Sequence, residues 1–177
     1  MITGRKALCL LSKIDNNNYL ISPVVWNKIY NKELLSKYNL HFLKRSYWED
    51  DVFSFQTFME ANSVCVVSDV FYHYYQRDGS ITKNFSKKHV DDLIDAFRIL
   101  YKYVDDDDHS IININSILDN YFDRATTSLM NMLFLSESSN KSQKEFIIYF
   151  FQKFTKYFSL EKALIYLDTN RIQRLFI

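Results

Sequence analysis

Glycine and proline are almost missing from this sequence, at two and one in 177 residues. Without a Gly-rich loop to cradle a phosphate, Rossmann and P-loop chemistry are disfavoured. The same scarcity leaves few tight turns, so long helices joined by Asn- and Ser-containing loops are expected rather than an all-β fold. Cysteine is as sparse. Cys9 and Cys65 stand far apart with no Cys-x-x-Cys pair, which argues against a disulfide scaffold or zinc site and fits two buried or idle thiols in a reducing cytoplasm. Charge of one sign is lacking too. With 22 Lys and Arg against 21 Asp and Glu the net charge is +1, so no basic field exists to draw in a nucleic acid. Apolar runs fall short of the roughly 18 residues that a membrane span needs. The basic start, Met1 to Lys6, is followed by no long apolar core or cleavage site and does not read as a signal peptide.

Hydrophobic residues make up 47% of the chain and aromatic ones 17%, with 15 Phe and 13 Tyr. That is enough apolar material for one ordinary domain, or for a small core with a helical extension. Helical periodicity predicts a short helix from Thr3 to about Ile14, with Ala7, Leu8, Leu10 and Leu11 on its apolar face. Pro23 to Trp26 reads as extended and largely buried, and Asn31 as a cap for a helix over 32–37. A loop carrying Phe42 precedes a helix opened by Glu49, Asp50 and Asp51. Val64 to Val67 and Val70 to Tyr75, rich in β-branched and aromatic residues, read as two short strands. Helices are then expected over about 86–103, 115–135, 143–158 and 160–167, with an acidic loop at Asp105 to Asp108 and a polar linker at 136–142. The seam between the two textures falls near Asn84.

Three short segments follow one another in order: Trp26-Asn27-Lys28-Ile29-Tyr30, Trp48-Glu49-Asp50-Asp51-Val52-Phe53, and Phe71-Tyr72-His73-Tyr74-Tyr75-Gln76-Arg77-Asp78-Gly79-Ser80-Ile81. The ordered trio resembles the second half of the family 2 glycosyltransferases of GT-A fold that build bacterial surface polysaccharides such as capsules. The resemblance covers roughly residues 1–85. It implies an α/β, mostly helical chain: a partial GT-A lobe with a short sheet over 1–85, the acceptor-side half of such an enzyme, followed by a helical extension over 86–177.

The resemblance also implies roles. Asp50 matches the position of the base that takes the acceptor proton in an inverting transfer, with Glu49 and Asp51 beside it to orient it or bind acceptor hydroxyls. A first-turn carboxylate cluster that merely caps a helix is the structural alternative, and the two roles are compatible. Trp26, Asn27, Lys28 and Tyr30 match the segment beside the sugar-binding cleft; the alternative puts Trp26 and Ile29 in the core and Lys28 in solvent. Arg77 matches an arginine near the donor diphosphate, where a guanidinium would stabilise the leaving group, although Tyr75 stands where a second arginine is common. His73 reads as a strand histidine rather than a metal ligand, and no metal ligand is assigned.

Family members begin with strand–helix units that form the nucleotide pocket, then an Asp-x-Asp that holds Mg²⁺ or Mn²⁺ on the diphosphate. This sequence begins downstream of both, and Asp105 to Asp108 follows the supposed base rather than preceding it. The expectation is therefore a truncated or split transferase. It would move sugar from a nucleotide-sugar to a glycan or lipid-linked acceptor only when an N-terminal half completes it, in the cytoplasm or at the inner face of the membrane. The other reading is a non-catalytic helical module that self-associates or binds a partner subunit. The aromatic face of the helix at 143–158 suits either packing on the preceding helix or a peripheral membrane contact.

Overall fold

The computed structural model describes residues 1–13, 21–75, 85–106, 113–135 and 140–158. Among them lie six helices, α1 Gly4–Leu11, α2 Lys32–Lys37, α3 Glu49–Glu60, α4 Lys87–Asp106, α5 Ile114–Leu135 and α6 Asn140–Phe154. The Thr3 side chain caps α1 by accepting from Lys6 N at 3.2 Å, and Asn31 caps α2 by accepting from Glu33 N at 2.8 Å. Each supplies an acceptor for an amide that the helix itself leaves unpaired. Asn39, at φ 51°, turns the chain out of α2 in the left-handed region that Asn tolerates.

α3 is the central element and is buried nearly all round, through Val52, Phe53, Phe55, Phe58 and Met59. α1 packs along it so closely that a Cβ on Gly4 would sit 2.2 Å from the carbonyl oxygens of both Phe58 and Ala61. α4 presents Val90, Leu93, Ile94, Phe97, Leu100 and Val104 at three- and four-residue spacing. α5 answers with Leu118, Tyr121, Phe122, Ala125 and Leu129. Phe97 stands 4.5 Å from the Phe122 ring and 5.5 Å from the Tyr121 ring. α6 turns its aromatic face inward, with Phe150 and Phe154 wholly buried and Phe154 stacked on Phe122 at 5.4 Å. One apolar cluster therefore runs from Ala7 of α1 to Phe154 of α6 and draws on residues before and after 85.

The expected α/β class with a short sheet is not what forms: the described residues are all-helical, with 2% strand and no sheet. A single antiparallel bridge joins Ile2 and Val64 through N–H···O bonds of 2.8 and 2.7 Å. The predicted strands at 64–67 and 70–75 are otherwise irregular. Their side chains are suited to a strand, but strand propensity is realised through cross-strand neighbours, and beyond the bridge these segments have none among the described residues. Val66, Val67, Val70, Phe71 and Tyr75 accordingly stay more than half exposed. Pro23 to Trp26 is likewise a half-buried turn rather than a buried extended segment. The helix predicted over 160–167, the seam at Asn84, Asp107, Asp108 and residues 136–139 of the linker lie outside the described residues.

Candidate functional site

Entry into α3 is set by a turn at Arg45, whose φ of 59° is costly for a residue with a Cβ. Bonds from the next element hold that turn. Lys88 Nζ donates to Arg45 O at 2.6 Å, Tyr47 N to Asp92 Oδ2 at 2.9 Å, and Trp48 Nε1 to the His89 carbonyl at 2.9 Å. The His89 ring, itself buried, stacks on Tyr47 at 3.9 Å. Trp48 then stands at the N-cap of α3 without a side-chain cap, leaving Glu49, Asp50 and Asp51 in the first turn.

These carboxylates do more than face their own helix terminus. Asp50 Oδ2 accepts from the Val25 amide at 3.3 Å, across from the turn that carries the first motif. Asp51 Oδ1 accepts from Tyr121 Oη of α5 at 2.7 Å in the interior. Burial pushes the Asp51 carboxyl up to about 6 against the opposing pull of Tyr121 and Arg124. Burial also raises Asp50, with the Val25 amide and Lys28 pulling it down, and it raises Glu49, which Asp50 raises further. The positive end of α3 offsets part of the cost of holding three acids in one turn.

The first and second motifs are thus in direct contact. Ser54 Oγ donates to Pro23 O at 2.6 Å, and Tyr30 sets its ring edge on Phe53 at 5.1 Å. The Tyr30 hydroxyl is buried without a hydrogen-bond partner. Burial pushes it up to about 12; the Ser54 hydroxyl is near enough to pull the other way but gives its proton to Pro23. The third motif reaches the same place. Tyr72 and Tyr74, two residues apart, both stack on the Trp26 indole, at 4.6 and 5.1 Å.

Several of these residues take positions other than those the structural alternative gave them. Lys28 is neither solvated nor extended: its ammonium folds back to Ser22 O at 2.6 Å, to Val24 O and to Asn27 Oδ1 at 2.8 Å. Burial lowers Lys28 to about 8, with Asp50 raising it and Arg124 lowering it. Ile29 is fully exposed and Trp26 is 40% exposed, so neither is core. Asn27 is exposed and serves the Lys28 turn. Arg77 lies outside the described residues.

Two side chains that the sequence reading did not assign to the site complete the cluster. Tyr121 and Arg124 of α5 stand three residues apart on the face that meets α3. Arg124 Nη1 donates to Leu11 O at the end of α1 and to Ile21 O at 3.5 Å. The signal available in the sequence was an arginine placed three residues after Tyr121 and next to Ala125, on the apolar stripe of a helix.

This ligand set does not fit a divalent cation. Asp50 and Asp51 face donors and cations, and no group of three His, Cys, Asp or Glu side chains among the described residues could hold a metal. Nor is any described helix long and apolar enough to cross a membrane.

No protein-family model matches the chain, and no solved structure matches it. The chain is similar to a cholesterol galactosyltransferase of Borreliella burgdorferi (strain ATCC 35210 / DSM 4680 / CIP 102532 / B31), at 29% identity over 93 residues. The match takes in 50% of this chain and spans a quarter of that relative's length. The likeness, distant and partial, is to a glycosyltransferase.

Proposed function

We propose that this chain supplies the acceptor side of an inverting glycosyltransferase, with Asp50 as its general base. The acceptor hydroxyl would attack the anomeric carbon of a nucleotide-sugar. Its proton passes to the Asp50 carboxylate as the new C–O bond forms, and the bond to the diphosphate breaks with its electron pair leaving on the nucleotide. The observation that carries this reading is the meeting of three separated segments at one place: the Val25 amide on Asp50, and the Trp26 ring on Tyr72 and Tyr74. Burial makes Asp50 a stronger base than an exposed carboxylate, and the Val25 amide fixes its direction. The half-exposed indole and phenol rings offer a face on which a sugar ring or fused hydrocarbon rings can lie. Glu49 and Asn27 are placed to meet acceptor hydroxyls, whereas Asp51 serves from the interior and Lys28 braces the turn.

The relative's name joins a galactosyl donor to a sterol acceptor, so UDP-galactose and a lipid hydroxyl are the pair to test first. The nucleotide pocket, Mg²⁺ or Mn²⁺ on the diphosphate, and Arg77 beside it remain part of the proposal. We place the first two in polypeptide that joins this chain covalently or as a subunit, at the inner face of the membrane. The test is donor consumption by this chain alone and by the chain fused to the nucleotide-binding part of such an enzyme, each with its Asp50→Asn variant. Turnover by the fusion that falls about 10² to 10⁴-fold in Asp50→Asn supports the base. A fully active Asp50→Asn fusion removes it.

A second reading has its own observation. Among the described residues the exposed, β-prone run from Val66 to Tyr75 has no strand beside it beyond the bridge at Val64, which suits association with a partner subunit or a second copy. An inactive fusion together with a concentration-dependent dimer in ultracentrifugation favours that reading.

A further inference from the structure

The cluster's polar contacts with the rest of the fold run through α5, at two side chains on one face. Tyr121 is wholly buried and donates to Asp51 Oδ1 at 2.7 Å. Arg124, one turn on, donates to main-chain carbonyls that lie on either side of residues 14–20, Leu11 O and Ile21 O. We propose that Tyr121 and Arg124 are the positioning residues of the Asp50 site, Tyr121 setting the rotation of the α3 first turn and Arg124 setting the turn that lies over it. The proposal rests on the reading of Asp50 as base.

Successive residues of a helix are about 100° apart around its axis. Drawing Asp51 inward to Tyr121 therefore aims Asp50 to the side, where the Val25 amide receives it. The buried apolar face of α3 sets the rotation of the helix as a whole, and the inward bond trims the first turn so that Asp50, rather than Glu49 or Asp51, stands under Val25. Arg124 acts on the other half of the contact. A guanidinium presents five donors in a rigid plane and so can hold two carbonyls at once. One of these, Leu11 O, belongs to the C-terminal end of α1, where a cation is favoured. The other, Ile21 O, begins the 21–28 turn, whose far side is braced by Lys28 on Ser22 O and Val24 O. Val25 and Trp26 are thereby held from both ends. The charged and titratable groups coupled to Asp50 are Lys28 and Tyr30 from the first-motif segment, Glu49 and Asp51 from α3, and Tyr121 from α5, with the Val25 amide donating to it.

The Val25 amide is a direct reporter, because an N–H bonded to a carboxylate shifts its NMR resonance as that carboxylate titrates. The experiment records the ¹H–¹⁵N spectrum of the whole chain through an acid titration, for the wild type, Asp50→Asn, Tyr121→Phe and Arg124→Gln. The expected result is a Val25 titration that vanishes in Asp50→Asn and loses most of its amplitude in Tyr121→Phe and Arg124→Gln. Tyr121→Phe keeps the buried ring and removes only the hydroxyl, so it reports even if Arg124→Gln does not fold. A Val25 titration unchanged in Tyr121→Phe overturns the proposal for Tyr121, and one unchanged in folded Arg124→Gln or Arg124→Lys overturns it for Arg124. Neither result depends on turnover. An active Asp50→Asn fusion would remove the base and leave the positioning result standing.

Discussion

Replacing Asp51 with Asn should remove a pH dependence that burial of the carboxylate imposes on the whole fold. The folded carboxyl is pushed from its ordinary 3.8 up to about 6, chiefly by loss of solvent. Between those values the unfolded chain has released the proton and the folded chain still holds it. Stability from this group is therefore fully present below the unfolded value and is lost as pH rises through the folded one. At about 1.4 kcal/mol per pH unit the loss is about 3 kcal/mol. Asn is nearly isosteric and can still accept from Tyr121, while Arg124 keeps its bonds to Leu11 O and Ile21 O. The assay is urea unfolding of both proteins between about pH 4 and about pH 7.5, taking the difference at each pH so that other titrating groups cancel. The variant should gain on the wild type by about 3 kcal/mol across that interval and then run parallel to it. A difference that does not move with pH, or that moves the other way, would refute the claim that Asp51 is a buried acid held against its solvation.

Two further outcomes follow from packing. Gly4→Ala places a methyl 2.2 Å from two main-chain carbonyl oxygens, of Phe58 in α3 and of Ala61 just past its end, that cannot rotate away, so α1 must shift; about 1–3 kcal/mol should be lost, read as a lower urea midpoint with an unchanged slope. Trp48→Phe leaves the His89 carbonyl without the indole donor that ties α3's N-cap to α4; about 1 kcal/mol should be lost, seen as a lower melting temperature.

The helical part of this fold is legible in the sequence because each helix carries its own periodic face. Val90, Leu93, Ile94, Phe97 and Leu100 of α4 need no knowledge of their partner to be read. The ends of α2, from Asn31 to Lys37, could be read for the same reason: capping is local. The strands expected at 64–75 fail because β-branched composition states only that a strand is tolerated, while the sheet must come from neighbours elsewhere in the chain. At the site, Trp26, Glu49, Asp50 and Asp51 stand out as motif residues. What the motifs do not show is that Asp51 and Asp50 look in different directions, one to Tyr121 and the other to Val25. Nor do they show that Lys28 spends its charge on its own turn. The inward turn of Asp51 depends on how α5 packs against α3, a tertiary quantity with no local signature. Tyr121 and Arg124 lie in the residues expected to be an extension, and it is their side chains that close the cluster.

Trp26, Asp50 and the Tyr72–Tyr74 segment together are proposed as one ligand surface. An NMR titration of the whole chain with methyl β-galactoside, following the Trp26 indole N–H and the amides of Val25, Asp50, Tyr72 and Tyr74, tests this. These five signals should shift together on a single saturable curve, and Trp26→Ala should abolish the response. Saturable shifts confined to residues remote from Trp26, or no saturable response at these five positions, would contradict it.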